Sequence, residues 1–455
     1  MGGRMRILPT ISLSLALLAA PGAVSAETWA IQFVDVGSSS GASTSLGLLD
    51  GFPVISYFGA PHSLKYASLN PQTKVFDLLR VDAGGEFTSL AVDPAGIVSV
   101  GYLDAVALQL KYWRLNAGQG FIQTVDSGTG QGGLSYYDSI KLDAQGRPQI
   151  SYYDWRAPDG TTSQSKLKYA VLNGTSWSTE FVDPVSGRGR YNSLALDASG
   201  NPQIAYRDDI DGQLRLAKKA GTWTTQVVDS SLNSPGWFPS ISLNGLGQPR
   251  ISYIAGTTGQ LRYAAFDGVL WHFENVDGVG TLTSFSATSL ALDSGGNPHI
   301  AYYDASAGSL KYASRSGPVI GGTWTVQTVD SVGDVGGYSS LILDATGRPI
   351  ISYFDATTQA LKIAYGNYPD QDSDGIPDVF DNCVSNPDCN GNGIVDGREG
   401  APKQTRLSDE PIFGCGTLAA VHGGGPPGGP PPPFDLLFLL APAAYLLLRS
   451  RPRRI

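Results

Sequence analysis

Short runs of alternating apolar and polar residues recur along most of the chain, and Gly, Asn, Asp or Pro separates each run from the next. One module shows the whole pattern, with runs at 193–197, 201–208, 214–217 and 223–229. Alternation bounded by turn residues is typical of half-buried β-strands. Each module is therefore predicted to form four short strands joined by turns, in an all-β region.

Three positions of this module occur seven times. The first run carries Ser45, Ser89, Ser139, Ser193, Ser240, Ser289 and Ser340. The second carries Tyr57, Tyr102, Tyr152, Tyr206, Tyr253, Tyr302 and Tyr353. The third begins at Leu64, Leu110, Leu167, Leu214, Leu261, Leu310 and Leu361. A fixed repeat of this length predicts a propeller or a solenoid.

The fourth run, which ends in Val-Asp, follows its module only six times. The missing copy is at the front, where residues 29–35 match residues 324–330 in length and in both end residues. A strand donated by the N-terminus would pair two edges that otherwise invite aggregation, and a solenoid needs no such offset. The pattern predicts a seven-bladed β-propeller over residues 27–368, with the N-terminal strand closing the last blade.

These repeats resemble the β-propellers of extracellular bacterial proteins across roughly residues 28–368. They lack the His…Trp-Asp signature of WD repeats and the regular Asp box of sialidase-type blades, although Leu-Asp-Ala-x-Gly-x-Pro occupies a similar turn. The resemblance implies the fold and carries no activity with it.

The N-terminus has the order of parts of a signal peptide. Arg4 and Arg6 precede an apolar stretch at 11–20, and small residues up to Ala26 offer a cleavage site. Residues 1–26 are therefore predicted to direct export, with a mature chain from residue 27. The alternative is a cytosolic chain with an apolar start.

The C-terminal end has three parts. Cys415 comes first, within a Gly/Pro-rich linker at 401–433, and an apolar run at 436–448 is followed by four arginines. Thirteen apolar residues make about 20 Å of helix, which is short for a bilayer core of about 30 Å. Residues 434–455 are predicted to form an anchoring helix whose basic end stays in the cytoplasm.

This ending resembles the tripartite C-terminal sorting tags of Gram-negative bacteria. The resemblance implies that export and sorting machinery processes the chain near Cys415 and transfers it from the membrane to the cell surface or beyond. The alternative is a plain membrane anchor with a free thiol.

Residues 369–400 carry oxygen-bearing side chains at the spacing of calcium loops. Calcium takes six to eight oxygen ligands on a sharply turned chain. The first loop would use Asp370, Asp372, Asp374, the carbonyl of Ile376, Asp378 and Asp381. The second would use Asp388, Asn390, Asn392, the carbonyl of Ile394, Asp396 and Glu399. The alternative is an acidic Asp/Gly linker that binds no ion tightly.

The stretch from 370 to 383 resembles a thrombospondin type 3 repeat, including Asp381-Asn382-Cys383. The resemblance implies calcium wrapped by acidic loops and pinned by disulfides. Cys383 and Cys389 enclose a short loop, and export would permit them to pair. Only two loops are present, so an extended array of ions is not expected.

Charge and histidine content exclude some function classes. The formal net charge is −9, and the six arginines near the two ends leave the rest of the chain more acidic still. An acidic body does not suit phosphate neutralisation, so no nucleic-acid partner is expected. The four histidines are scattered, which makes a zinc site built from them improbable.

If the first strand of each blade is innermost, the loops after the second and fourth strands share one face. The ligand-face candidates are Asp104, Asp154, Asp208, Asp304 and Asp355, together with Trp155 and Arg156 in the longest insertion. Aromatic residues stand just before the first-strand Ser in five blades. The alternative interpretation is architectural: each Asp accepts a hydrogen bond from its blade's first-strand Ser, and the aromatics fill gaps between blades.

Two function classes follow. The first is a surface-displayed, non-enzymatic binding module for a glycan or protein, on a calcium-stabilised stalk. The second is a lectin or glycan-acting, sialidase-like enzyme, although no arginine cluster or Tyr–Glu pair can be assembled from the sequence.

Overall fold

The computed structural model describes residues 28–36, 40–127, 134–154, 165–319 and 321–386. These residues form strands and turns, and they include no helix that could cross a membrane. The signal peptide, the second acidic loop, the linker and the anchoring helix predicted above lie outside them.

The described strands fall into seven units of four. β1 (Trp29–Asp35) comes first in the chain. Unit 1 contains β2 (Ser40–Leu49), β3 (Phe52–Gly59), β4 (Ser63–Leu69) and β5 (Phe76–Asp82). Unit 2 contains β6 (Gly85–Val92), β7 (Val98–Asp104), β8 (Gln109–Asn116) and β9 (Gln119–Asp126). Unit 3 contains β10 (Leu134–Leu142), β11 (Pro148–Asp154), β12 (Lys166–Asn173) and β13 (Ser176–Asp183). Unit 4 contains β14 (Arg188–Leu196), β15 (Pro202–Asp208), β16 (Gln213–Ala220) and β17 (Thr222–Asp229).

The remaining units follow the same order. Unit 5 contains β18 (Trp237–Leu243), β19 (Pro249–Ala255), β20 (Gln260–Phe266) and β21 (Trp271–Gly278). Unit 6 contains β22 (Thr288–Leu292), β23 (Pro298–Asp304), β24 (Ser309–Ser316) and β25 (Thr323–Asp330). Unit 7 contains β26 (Val335–Leu343), β27 (Pro349–Asp355), β28 (Ala360–Gly366) and, at its outer edge, β1.

Each unit is an antiparallel sheet, and units 1 to 6 are meanders of consecutive strands. A single bridge between Lys166 and Arg188 links units 3 and 4 into one sheet. The predicted pairing of the N-terminal strand is present: β1 runs antiparallel to β28, with Ile31 opposite Ala364. Trp29 also packs edge-on against Tyr312 of unit 6, at 5.3 Å between ring centroids. Trp223 of unit 4 makes the same contact with Tyr169 of unit 3, at 5.4 Å. β1 therefore serves unit 7 as the fourth strands serve the other units.

The first strands of the units contact one another in sequence, and the strand of unit 7 contacts that of unit 1. The seven recurring serines of the first strands, here called the marker serines, join neighbouring units. Each Ser Oγ accepts a hydrogen bond from a backbone N–H of the neighbouring first strand. The donors, in chain order, are Leu46, Leu90, Ile140, Leu194, Ile241, Leu290 and Leu341. The acceptor of the Leu46 N–H is Ser340, at 3.1 Å, so the first and last units are joined as the others are.

The hydrophobic core lies between the units rather than inside any one of them. The second strands are almost entirely buried, because neighbouring sheets cover both of their faces. Tyr57, Tyr102, Tyr152, Tyr206, Tyr253, Tyr302 and Tyr353 are among the largest fully buried side chains. The result is an all-β, propeller-like arrangement of four-stranded sheets.

Candidate functional site

The second and fourth strands end at the same side of each unit. In unit 2, Asp104 at the end of β7 pairs with Gly85 and Gln109, while Asp126 at the end of β9 pairs with Leu110. This side is called the aspartate face below. It carries the five Asp residues proposed above as ligand-face candidates.

Those five carboxylates are buried and ion-paired. Their exposed fractions lie between 0% and 6%. The pairs are Asp104–Lys111 at 2.5 Å, Asp154–Lys168 at 3.6 Å, Asp208–Arg188 at 2.7 Å, Asp304–Lys311 at 2.7 Å and Asp355–Lys362 at 2.9 Å. Each cation except Arg188 lies on the third strand of the same unit.

The same carboxylates hold the turn that follows the second strand. Asp104 Oδ1 accepts hydrogen bonds from the N–H groups of Val106 and Ala107, at 3.0 and 2.8 Å. Asp208 accepts in the same way from Ile210 and Asp211. The hydroxyls of the first-strand serines accept the inter-unit bonds described above. The Asp side chains thus bind the N–H groups of the turn and the neighbouring cation. The architectural interpretation had expected a hydrogen bond from the first-strand Ser to each Asp instead.

A second carboxylate joins each cation from the preceding unit. In unit 7, Lys362 contacts Asp330 of unit 6 at 3.2 Å, and the Tyr353 hydroxyl donates to Asp330 at 2.7 Å. The closing strand follows the rule, because Asp35 of β1 accepts from Tyr57 and Lys65 of unit 1 at 2.8 and 2.9 Å. Every interface has this Tyr–Asp contact. The acceptors are Asp35, Asp82, Asp126, Asp183, Asp229, Asp277 and Asp330.

The electrostatics agree with a structural role. Burial alone would raise the pKa of Asp355, but hydrogen bonds from Lys362 and from the Thr358 backbone hold that pKa below its usual range. Lys311 does the same for Asp304. Burial, the charge of Asp330 and the hydrogen bond to it raise the pKa of Tyr353. At neutral pH these groups are therefore charged acids next to neutral tyrosines, which does not provide a poised general acid or base.

Aromatic residues occupy a strained position on the aspartate face. The first strands carry a β-bulge two residues before the marker Ser, where the pairing register shifts. There Phe87, Tyr191, Phe238 and Tyr338 have φ between 49° and 53°, which bulky residues seldom adopt. Phe87, Phe238 and Tyr338 are half-buried, whereas Tyr191 is buried.

Two of these aromatics belong to an asymmetric cluster between units 4 and 5. The Tyr191 ring lies 4.3 Å from that of Phe238 and 5.4 Å from that of Trp237. The buried Arg207 guanidinium lies 4.2 Å over Trp237 and donates to Asp209 and to the carbonyl of Pro235. Arg207 thus packs against the cluster through the Trp237 ring. Sequence reasoning missed Trp237, although it directly precedes Phe238.

A second aromatic cluster lies between units 6 and 7. Phe285, on the segment before β22, is 6.0 Å from Tyr338 and 5.9 Å from Phe354, measured between ring centroids. The described register of unit 6 has no such bulge, and the Phe285 carbonyl accepts a hydrogen bond from the Tyr338 N–H at 3.2 Å. The sequence signal was weak, because Phe285 is four residues before Ser289 rather than two.

Several predicted site residues lie outside the described residues. They are Trp155 and Arg156, the second acidic loop (Asp388, Asn390, Asn392, Ile394, Asp396 and Glu399), Cys389, and the processing positions Ala26 and Cys415. Cys383 is disulfide-bonded.

The first acidic loop gathers three carboxylates. The side chains of Asp370, Asp372 and Asp374 offer oxygen atoms that all lie within 4.8 Å of one another. Asp374 is 2% exposed, and its Oδ2 has no hydrogen-bond partner among the described residues. Asp378 is hydrogen-bonded within the loop, because its Oδ1 accepts from the Gln371 N–H at 2.8 Å.

Burial and the neighbouring carboxylates raise the pKa values of two acids in the loop. Burial raises the pKa of Asp374 to about 7, and the charges of Asp372, Asp381 and Asp370 act in the same direction. Burial also raises the pKa of Asp370. An all-oxygen set with a buried, unpartnered carboxylate oxygen fits a hard cation such as calcium.

No protein-family model matches this chain, and no curated protein matches it significantly. Solved structures do match. An ulvan lyase, described as a new polysaccharide lyase family, is 13% identical, with 74% of this chain and 96% of that chain covered and a TM-score of 0.48. A protein of unknown function from Dyadobacter fermentans is 12% identical, with 74% and 97% covered and a TM-score of 0.45. AofleA from Arthrobotrys oligospora is 12% identical, with 59% and 78% covered and a TM-score of 0.42. At these identities and TM-scores the matches carry no conclusion about what this chain binds.

Proposed function

We propose that the chain is a closed seven-bladed β-propeller that acts as a non-enzymatic binding platform. The observation that carries the proposal is the commitment of the charged groups on the aspartate face to ion pairs and turns. Buried, fully paired carboxylates are poorly suited to proton transfer. Aromatic side chains at the bulge positions remain as the contact surface of this face.

A glycan or protein ligand fits such a surface. Phe238 and Tyr338 are half-buried and held in a fixed backbone conformation, so little entropy is lost when a ligand covers them. Trp155 and Arg156, in the long insertion of unit 3, would extend the same face. The alternative is a glycan-binding lectin or a glycan-acting, sialidase-like enzyme.

The test is a glycan and protein binding screen with the intact protein, run beside a hydrolase and lyase activity panel. Phe238→Ala should weaken binding of any ligand found by at least about tenfold, as truncation of an aromatic anchor does. The matched control is Phe121→Ala, because Phe121 is 56% exposed on the outer strand β9. Turnover that one point change on the aspartate face abolishes would contradict the non-enzymatic proposal.

We also propose that the first acidic loop binds calcium through Asp370, Asp372, Asp374, Asp381 and the Ile376 carbonyl, with Asp378 closing the loop. The second loop would bind a second ion. The buried Asp374 Oδ2 supports the first site, because a carboxylate oxygen without a partner is costly unless a cation meets it.

Calorimetry with calcium chloride tests the metal site. Asp372→Ala and Asp374→Ala should each weaken calcium binding by about tenfold or more, because each removes a charged ligand. Asp211→Ala is the control, since Asp211 is a half-exposed acid remote in sequence from the loop. Absence of binding heat from the intact protein at millimolar calcium would refute the site.

Export completes the proposal. Residues 1–26 would direct secretion, and residues 434–455 would hold the precursor in the membrane until processing near Cys415. This part rests on the order of the sequence features alone.

A further inference from the structure

We propose that the first acidic loop is a metal-dependent clasp that fastens the junction between the first and last units. The inference rests on the proposed calcium site and deepens it, because it gives the ion a target in the propeller. The clasp is the segment 369–382, and the seam is the junction of β1, unit 7 and unit 1.

The seam joins two strands from opposite ends of the described chain. β1 pairs with β28, so unit 7 is completed by a strand from the opposite end of the chain. The buried Ala30 and Val34 of β1 share one core cluster with Leu46 of unit 1 and Tyr365 of unit 7. Ring closure therefore depends on how firmly one short N-terminal strand is held.

The clasp packs directly on that strand. A Cβ at Gly375 would lie 2.4 Å from the carbonyl oxygen of Ile31, and φ at Gly375 is +96°. Only glycine permits both this approach and this conformation. The next residue, Ile376, is buried in the core cluster that contains Ala30 and Val34.

The clasp also contacts the units on both sides of the seam. Phe380 lies 6.0 Å from Phe52 of unit 1 and 5.1 Å from Tyr365 of unit 7, measured between ring centroids. Lys74 of unit 1 donates to the Val379 carbonyl at 2.9 Å, and Asn382 donates to the Thr73 carbonyl.

Metal ligands and docking residues alternate within this short segment. Asp374 belongs to the carboxylate cluster, and its buried Oδ2 has no hydrogen-bond partner among the described residues. It directly precedes Gly375 and Ile376, which dock on β1. The conformation that brings Asp370, Asp372 and Asp374 together is the one that seats these two residues. A cation that binds only this conformation must stabilise the seam, by linkage.

Hydrogen exchange of the intact protein, with calcium chloride or with EDTA, tests the clasp. Calcium at a hundredfold excess over its Kd should slow exchange of β1 and β28 by up to about 100-fold and raise the melting temperature by on the order of 5 °C. Exchange of β16, in unit 4 across the ring, should change less than that of β1.

Two variants separate the steps. Asp374→Asn should abolish the calcium effect on β1. Phe380→Ala keeps every proposed ligand, so it should still bind calcium in calorimetry, with an affinity lowered by the same linkage, but it should lose most of the added protection. Val379→Ala is the matched control, because Val379 is 52% exposed beside Phe380. Calcium binding without a change in β1 exchange would overturn the clasp and leave the calcium site standing. Absence of calcium binding would overturn both.

Discussion

Removal of residues 1–36 should lower the melting temperature of the protein by more than about 10 °C or abolish cooperative unfolding. The deletion exposes the edge of β28 and strips Asp35 from Tyr57 and Lys65. A stranded buried polar group costs about 1–3 kcal/mol, and lost burial of Val34 costs about 2 kcal/mol. Together these losses reach about 3–5 kcal/mol, a large fraction of the 5–15 kcal/mol that holds a typical domain together.

The control is a chain that starts at residue 27, which should melt like the full-length protein in the same buffer. A synthetic peptide of residues 27–36 should partly restore the melting temperature of the shorter chain, by adding a strand to the open edge. A scrambled peptide should not. An unchanged melting temperature after the deletion would show that β1 does not close the ring.

Replacement of Lys362 by Met should destabilise the protein by about 3–5 kcal/mol at neutral pH, since it leaves two buried carboxylates without their cation. The Lys362 ammonium contacts Asp330 at 3.2 Å and Asp355 at 2.9 Å, and all three side chains are buried. The measurement is chemical unfolding at a series of pH values.

The loss should depend on pH with a definite sign. The pKa of Asp355 is lowered in the folded protein, so this carboxylate contributes stability above its unfolded pKa of about 4 and loses it as pH falls further. The difference between wild type and Lys362→Met should therefore be largest near pH 7 and shrink below about pH 4.

The chain offers graded controls for this prediction. Unit 5 has Ala255 at the end of its second strand, where unit 7 has Asp355, so Arg262→Met strands only Asp229 and should cost less. Arg114→Met, at an exposed position on β8, should cost almost nothing. Equal losses for all three variants, or a loss that does not change between pH 7 and pH 3, would exclude the ion-pair account.

The strand pattern was readable from the sequence because it is set by local rules. Alternation and turn residues located the strands, and the Val-Asp run at residues 34–35 identified the donated strand that pairs with β28. The count of seven Ser, Tyr and Leu positions predicted the repeated units for the same reason.

The roles of the aspartates were harder to predict, because they depend on which side chains meet across strands. A Lys or Arg follows every third-strand Leu, as Lys111 follows Leu110, and this repeated cation was present in the sequence. The role of this cation is seen only in the structure, where antiparallel pairing brings Lys111 beside Asp104 and the adjacent unit supplies Asp82.

The docking of the acidic loop could not be predicted from its own sequence. The spacing of Asp370, Asp372 and Asp374 concerns only the proposed calcium ligands, whereas the contacts of Ile376 and Phe380 involve strands more than 300 residues earlier. The sequence therefore predicts a separate stalk, whereas in the structure Ile376 and Phe380 pack against β1 and units 1 and 7.

Closure of the ring is tested most directly by a cross-link between its first and last units. Thr44 Oγ1 and Ser352 Oγ lie 2.7 Å apart in the buried interface between units 1 and 7. Thr44→Cys with Ser352→Cys should form a disulfide in the native protein, detected by non-reducing peptide mapping, but not in urea. Thr44→Cys with Ser252→Cys should not, because Ser252 faces Thr288 instead. Formation of the first cross-link alone is the predicted result, and two free thiols in the native Thr44–Ser352 variant would contradict a closed ring.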